Sequence, residues 1–177
     1  MTRRADHGFT LIELLIVVAI IGIIAAIAAP GLLRARMTSN ETSAIASLKV
    51  TTSAEVAYSA SCGQGGYASD YAILGTPPNG TIEAFISMDL GDVNNQPPKK
   101  SGYNFLLNAD QNSIPAQNDC NGTPTITAWY AKGEPGTLGI SGARSFAVNS
   151  GNTIWQNTTG VAPASPFAIA NGDQPIK

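Results

Sequence analysis

Two hydrophobic patterns divide the start of this chain. From Phe9 to Ala29 nearly every position is apolar, with no recurring polar side, whereas beyond Pro30 apolar residues return at spacings of three and four. A helix that is apolar on every side has to be buried all round, in lipid or in protein. Leu14 to Ala29, extended back to Phe9, gives about 21 residues, the length of a bilayer-spanning helix at 1.5 Å per residue. Further along, Leu32, Leu33, Ile45, Leu48, Thr52 and Val56 form one stripe, with Arg36, Asn40, Lys49 and Ser53 elsewhere on the helical wheel. This predicts a helix that continues to about Ala60 and lays its second half on a globular head. Such a helix would be roughly 50 residues and about 75 Å long. Gly22 and Pro30 disturb it: they cost about 1 and 3 kcal/mol relative to alanine, and proline also removes an amide, so a bend or local unwinding is expected between them.

From Ser61 the pattern changes. The stretch SCGQGGYASDYAILGTPPNG is punctuated by glycine and proline and reads as a loop. Short runs at Gly102 to Leu107, Thr125 to Ala131, Ser145 to Val148 and Thr153 to Gln156 read as strands. The expected fold is α+β, one long N-terminal α-helix packed on a small antiparallel β-sheet head of three or four strands. Tyr103, Phe105, Trp129, Phe146 and Trp155 are read as sheet packing rather than as a ligand cage.

Composition narrows the function. Of 177 residues only 12% are charged and the formal net charge is −2, so the electrostatic footprint of a nucleic-acid binder is missing. Cys62 and Cys120 fit neither a zinc nor a redox motif, and in an oxidising compartment they would most simply pair. Asp89, Asp92, Asn94 and Asn95 depart from the EF-hand spacing and lack a closing glutamate, so they read as a solvated turn, and no metal or cofactor is expected. Sequons at Asn40, Asn79, Asn121 and Asn157 show only that glycan attachment is chemically available. The sole histidine is His7, and neither a phosphate-cradling Gly-Lys motif nor a convincing carboxylate pair in a recognisable cleft is found, so no catalytic residue is assigned.

The misfit is Glu13. It is the one charged side chain from Phe9 to Leu33, and near the middle of a membrane helix a charge costs roughly 2.5 to 3.5 kcal/mol. It requires a cation that its own segment does not supply. Arg3 and Arg4 precede the apolar run and place the N-terminus in the cytoplasm by the positive-inside rule. A secretory signal peptide or a plain membrane anchor would account for the apolar run, but neither gives Glu13 a role.

Gly8 followed by Phe9-Thr10-Leu11-Ile12-Glu13, then the apolar run with Gly22 and Pro30, resembles the prepilin signature of type IV pilins and type II secretion pseudopilins. The resemblance covers residues 8 to 30 closely and fades beyond about residue 62. It implies residues 1 to 8 as a cleaved leader, 9 to 30 as the membrane and filament-core half of the helix, 31 to 60 as its amphipathic half, and 61 to 177 as the head. It also implies a cut between Gly8 and Phe9 by a prepilin peptidase that N-methylates Phe9, with the segment between Gly22 and Pro30 losing helicity on assembly. The α-amine so created has an ordinary pKa near 7.7 to 8.0 and is largely protonated at neutral pH. Four residues of helical rise put Glu13 about 6 Å from its own terminus, so the expected partner for Glu13 is the Phe9 amine of the next subunit.

On this reading the protein is a structural subunit of a type IV pilus, stored in the bacterial inner membrane and polymerised into a homo-oligomeric helical filament by a pilus or secretion assembly machinery. A pseudopilin of a type II secretion system is the alternative.

Overall fold

A computed structural model describes residues 9–169 and 172–176. The chain divides into two compact units, one ending at Arg36 and the other beginning at Met37. In the first unit, α1 (Leu11–Ser61) begins, and every side chain from Phe9 to Arg36 is exposed. The backbone stays helical through Gly22 and Pro30 in this isolated chain, so the unwinding expected between them is not seen here. Loss of helicity on assembly concerns a different state.

The second unit is an antiparallel sheet and three small elements gathered round the later turns of α1. The sheet runs in the order β1 (Lys99–Lys100), β2 (Tyr103–Ala109), β5 (Trp129–Pro135), β6 (Ser145–Asn149), β7 (Trp155–Asn157), β8 (Gln174–Pro175). A separate hairpin joins β3 (Pro115–Asn118) to β4 (Pro124–Ile126). Alternation along β2 and β5 turns Tyr103, Phe105 and Leu107 inward beside Trp129 and Ala131, and β6 adds Phe146 and Val148. These side chains share one core with Ala44, Leu48, Ala54 and Tyr58 of α1. Tyr103, Phe105, Trp129 and Phe146 are therefore packing residues, while half-buried Trp155 stacks on Phe167 with ring centroids 5.4 Å apart.

Three expectations need correction. The sheet has six strands, because the two-residue edge strands β1 and β8 carry too little pattern to be read from sequence. The run Thr125 to Ala131 is broken: β4 ends at Ile126 and β5 starts at Trp129, with Thr127 N–H donating to Ile114 O at 3.0 Å and Ala128 O accepting from Asp110 N–H. No glycine or proline marks that break. The supposed loop after Ser61 holds α2 (Tyr71–Leu74), whose Tyr71 and Leu74 are buried and whose first turn is capped by Asp70 accepting from Ile73 N–H at 2.9 Å. A further short helix, α3 (Met88–Gly91), passes so close to α2 that a Cβ on Gly75 would stand 1.8 Å from Gly91 O.

The buried stripe of α1 also differs from the apolar stripe. Glu41, Ala44, Ser47, Leu48, Thr51, Ala54, Glu55 and Tyr58 face inward, while Ile45 and Thr52 are half-buried and Val56 is 54% exposed. One residue is a rotation of about 100°, so taking Val56 for Glu55 turns the helix by that much. Glu41 and Glu55 find partners beyond α1, which no periodicity count contains, and Thr51 bonds within the helix. Glu41 accepts from Ala143 N–H, Arg144 N–H and the Arg144 guanidinium at 2.6 to 3.1 Å, and Thr51 Oγ donates to Ser47 O.

Cys62 and Cys120 are joined in a disulfide with Cα atoms 4.8 Å apart, binding the end of α1 to the turn before β4.

Candidate functional site

The N-terminus of α1 is where unusual chemistry meets an unburied surface. Phe9 is 86% exposed, and from Leu11 to Leu33 the helix offers apolar side chains in every direction. It is a helix long and apolar enough to cross a membrane, and none of its most apolar stretch is buried. Glu13 stands alone in charge among these residues.

Its carboxylate is already organised. Glu13 Oε2 accepts from Thr10 N–H at 2.8 Å and from Thr10 Oγ at 2.7 Å, while Glu13 N–H donates to Thr10 Oγ at 3.3 Å. Thr10 is the residue before the first helical position and Glu13 is the third within it, so the pair forms a reciprocal capping box. Two amides that a helix start leaves orphaned are thereby paired, and the carboxylate sits where the positive end of the helix dipole favours it. Reading the chain for an ion-pair partner alone overlooks Thr10. The signal was present: threonine followed three residues later by glutamate, ahead of an apolar run, is a helix-start signature.

Thr10→Ala should lower the stability of the first turn by about 1 kcal/mol, visible as faster exchange of the Leu11 to Glu13 amides in micelles.

Gly8, the expected residue before the cut, lies outside the described residues, as do Arg3, Arg4 and His7. Gly22 and Pro30 lie within α1, and a Cβ on Gly22 would meet nothing within 4 Å, so no packing in the isolated chain demands glycine there.

Elsewhere the oxygen-rich stretch is engaged internally. Asp89 is bonded to Lys100 Nζ at 2.5 Å and to Ser87, and the Lys100 bond holds its carboxyl below the ordinary carboxylate value. Asp92 accepts from Asn94 N–H at 2.9 Å. Among the described residues no three His, Cys, Asp or Glu side chains converge to hold a metal ion. All four sequon amides donate hydrogen bonds: Asn40 to Ser141 O, Asn79 to Cys120 O, Asn121 to Pro77 O and Asn157 to Asp173.

A family model described as the prokaryotic N-terminal methylation motif matches residues 3–29. The chain carries a prepilin-type N-terminus. Its residues are also similar to the type IV wide pilus major component PilA4 of Thermus thermophilus, with 62% identity over 39 residues, which is 22% of this chain and 30% of that protein. The match thus spans less than a third of that relative's length. No solved structure matches the chain. The prepilin-type segment includes Phe9, the capping box and Gly22, and the head lies beyond the family match.

Proposed function

We propose that this chain is a structural subunit of a type IV pilus, with no catalytic role. A prepilin peptidase cuts it between Gly8 and Phe9 and methylates the new terminus. The subunit waits in the inner membrane with its N-terminus cytoplasmic, and an assembly machinery then packs it into a helical filament. The observation that carries this reading is the uncovered apolar helix from Leu11 to Leu33 with one carboxylate at its start. In a bilayer or a filament core that surface is covered, and helix packing replaces lipid contacts at little net cost, so assembly is reversible in principle. The carboxylate makes the packing specific. An uncompensated buried charge is expensive, and the amine of the adjacent subunit offsets it.

The capping box sharpens the test. Glutamine also serves at the third position of a capping box, so Glu13→Gln keeps the cap and removes the charge, whereas Thr10→Ala keeps the charge and weakens the cap. Glu13→Gln should insert in membranes, be cut after Gly8, and yield at least about tenfold fewer surface filaments, the equivalent of about 1.4 kcal/mol per subunit contact. Thr10→Ala should reduce filaments by much less. Normal filaments from Glu13→Gln together with their loss in Thr10→Ala would assign Glu13 to helix capping instead of intersubunit pairing. Mass analysis of purified subunits should show methylated Phe9 as the first residue. Electron microscopy separates long surface fibres from the short periplasmic filament of a pseudopilin.

A further inference from the structure

We propose that Glu55 is a proton-dependent latch in the head: protonated, it holds the segment leading into α2 against α1, and ionised, it loosens that segment. Glu55 has 0% exposure and sits on the inward face of α1. Its Oε2 accepts from Ala68 N–H at 3.0 Å, while its buried Oε1 has no hydrogen-bond partner. Among the described residues, no cationic side chain is bonded to it. Asp70, in the covering segment, adds negative potential. Tyr71 of α2 shares a hydrogen bond with Thr51, one turn before Glu55, and Tyr58, one turn after it, donates to Asp119. Burial holds both phenols above their ordinary value, so they stay neutral. A carboxylate in that setting is desolvated with one amide as its only bonded compensation, and the neutral acid is the favoured form. Burial pushes the Glu55 carboxyl up to about 8.

The covering segment is suited to respond. Residues 66–70 belong to no helix or strand and are held by the bridge between Tyr67 and Ile126, by Gly66 N–H donating to Gly63 O and by the Asp70 cap of α2. Opening there admits water to Glu55 without dismantling the sheet. From Phe9 onward the chain has no histidine, so no imidazole titrates alongside Glu55 in the same pH range.

The sign follows from proton counting. The unfolded carboxyl has its ordinary value of 4.5 and the folded one lies at about 8. Between these values the folded head binds one more proton than the unfolded chain, so stability is greatest in acid and falls as pH rises, flattening above about 8. The head is tightest in mildly acidic surroundings and loosens in alkaline ones.

The test uses the full chain in detergent micelles. Urea unfolding between about pH 5.5 and about pH 7.5 should show the folding constant falling up to about tenfold per pH unit, and Glu55→Gln should abolish most of that slope. Carbon-13 NMR of the wild-type carboxyl should place the Glu55 transition near 8. Identical slopes in the two proteins, or a Glu55 carbon that titrates at the ordinary glutamate value in the folded chain, would overturn the proposal. If Glu55→Gln does not fold, the wild-type carboxyl titration decides alone.

Discussion

Replacing Cys62 and Cys120 together by alanine is expected to lower the unfolding free energy of the head by about 4 kcal/mol, the chain-entropy value for a loop of this length. The disulfide closes a sequence separation of 58 residues, which includes α2, α3, β1, β2 and β3. Without it the unfolded chain regains the freedom of that whole loop. The staple also anchors a crowded corner. Cys120 N–H donates to Cys62 O at 2.9 Å, and the neighbouring Asp119 accepts from Tyr58 Oη, Asn121 N–H and Thr123 N–H at 2.6 to 2.9 Å. Asn121 Oδ1 in turn accepts from Asn79 N–H, joining the loop at residue 79 to the same turn. Urea unfolding of the full chain in micelles, with and without reductant, measures the effect. Reduced wild type and the double alanine variant should unfold at the same, lower midpoint. A loss below about 1 kcal/mol would assign the corner's stability to the Asp119 hydrogen bonds instead.

Glu41→Ala is expected to destabilise the head by about 3 kcal/mol, the lower part of the range for breaking a buried ion pair. Glu41 is 5% exposed and is the common acceptor for the 143–144 segment, so its loss leaves the Ala143 and Arg144 amides without their partner. The Arg144 side chain is 35% exposed and can rehydrate, which places the figure at the low end. The local backbone is shaped round this contact. Tyr103 Oη donates to Arg144 O at 2.7 Å, and a Cβ on Gly142 would stand 2.0 Å from that phenol oxygen. Arg144→Lys should recover little, because an ammonium cannot reproduce the paired Nε and Nη2 bonds to Glu41 Oε2 at 2.9 and 2.6 Å while also serving Gln156. Thermal melts of Glu41→Ala, Arg144→Lys and the double variant check this. Purely additive losses would show that the two residues act separately.

The parts of the fold that were legible in the sequence depend on neighbours close along the chain. The long helix is written in local periodicity, and β2, β6 and β7 begin within two residues of the expected runs. The capping box is equally local, since Thr10 and Glu13 are three residues apart. The break at Thr127 and Ala128 was not legible, because the bonds from Thr127 to Ile114 and from Asp110 to Ala128 make that corner with ordinary residues.

By itself the sequence determined that a long apolar helix with a single early carboxylate leads the chain, and that a glycine-punctuated antiparallel head follows it. Those features rest on composition and on periods of two and 3.6 residues, which any short window displays. Tertiary structure alone decided which side of α1 faces the head. A glutamate counts as outward on a helical wheel until Arg144, 103 positions away, or the amide of Ala68, 13 positions away, arrives to satisfy it. Burial of a polar group depends on the partner that meets it, and the fold supplies that partner.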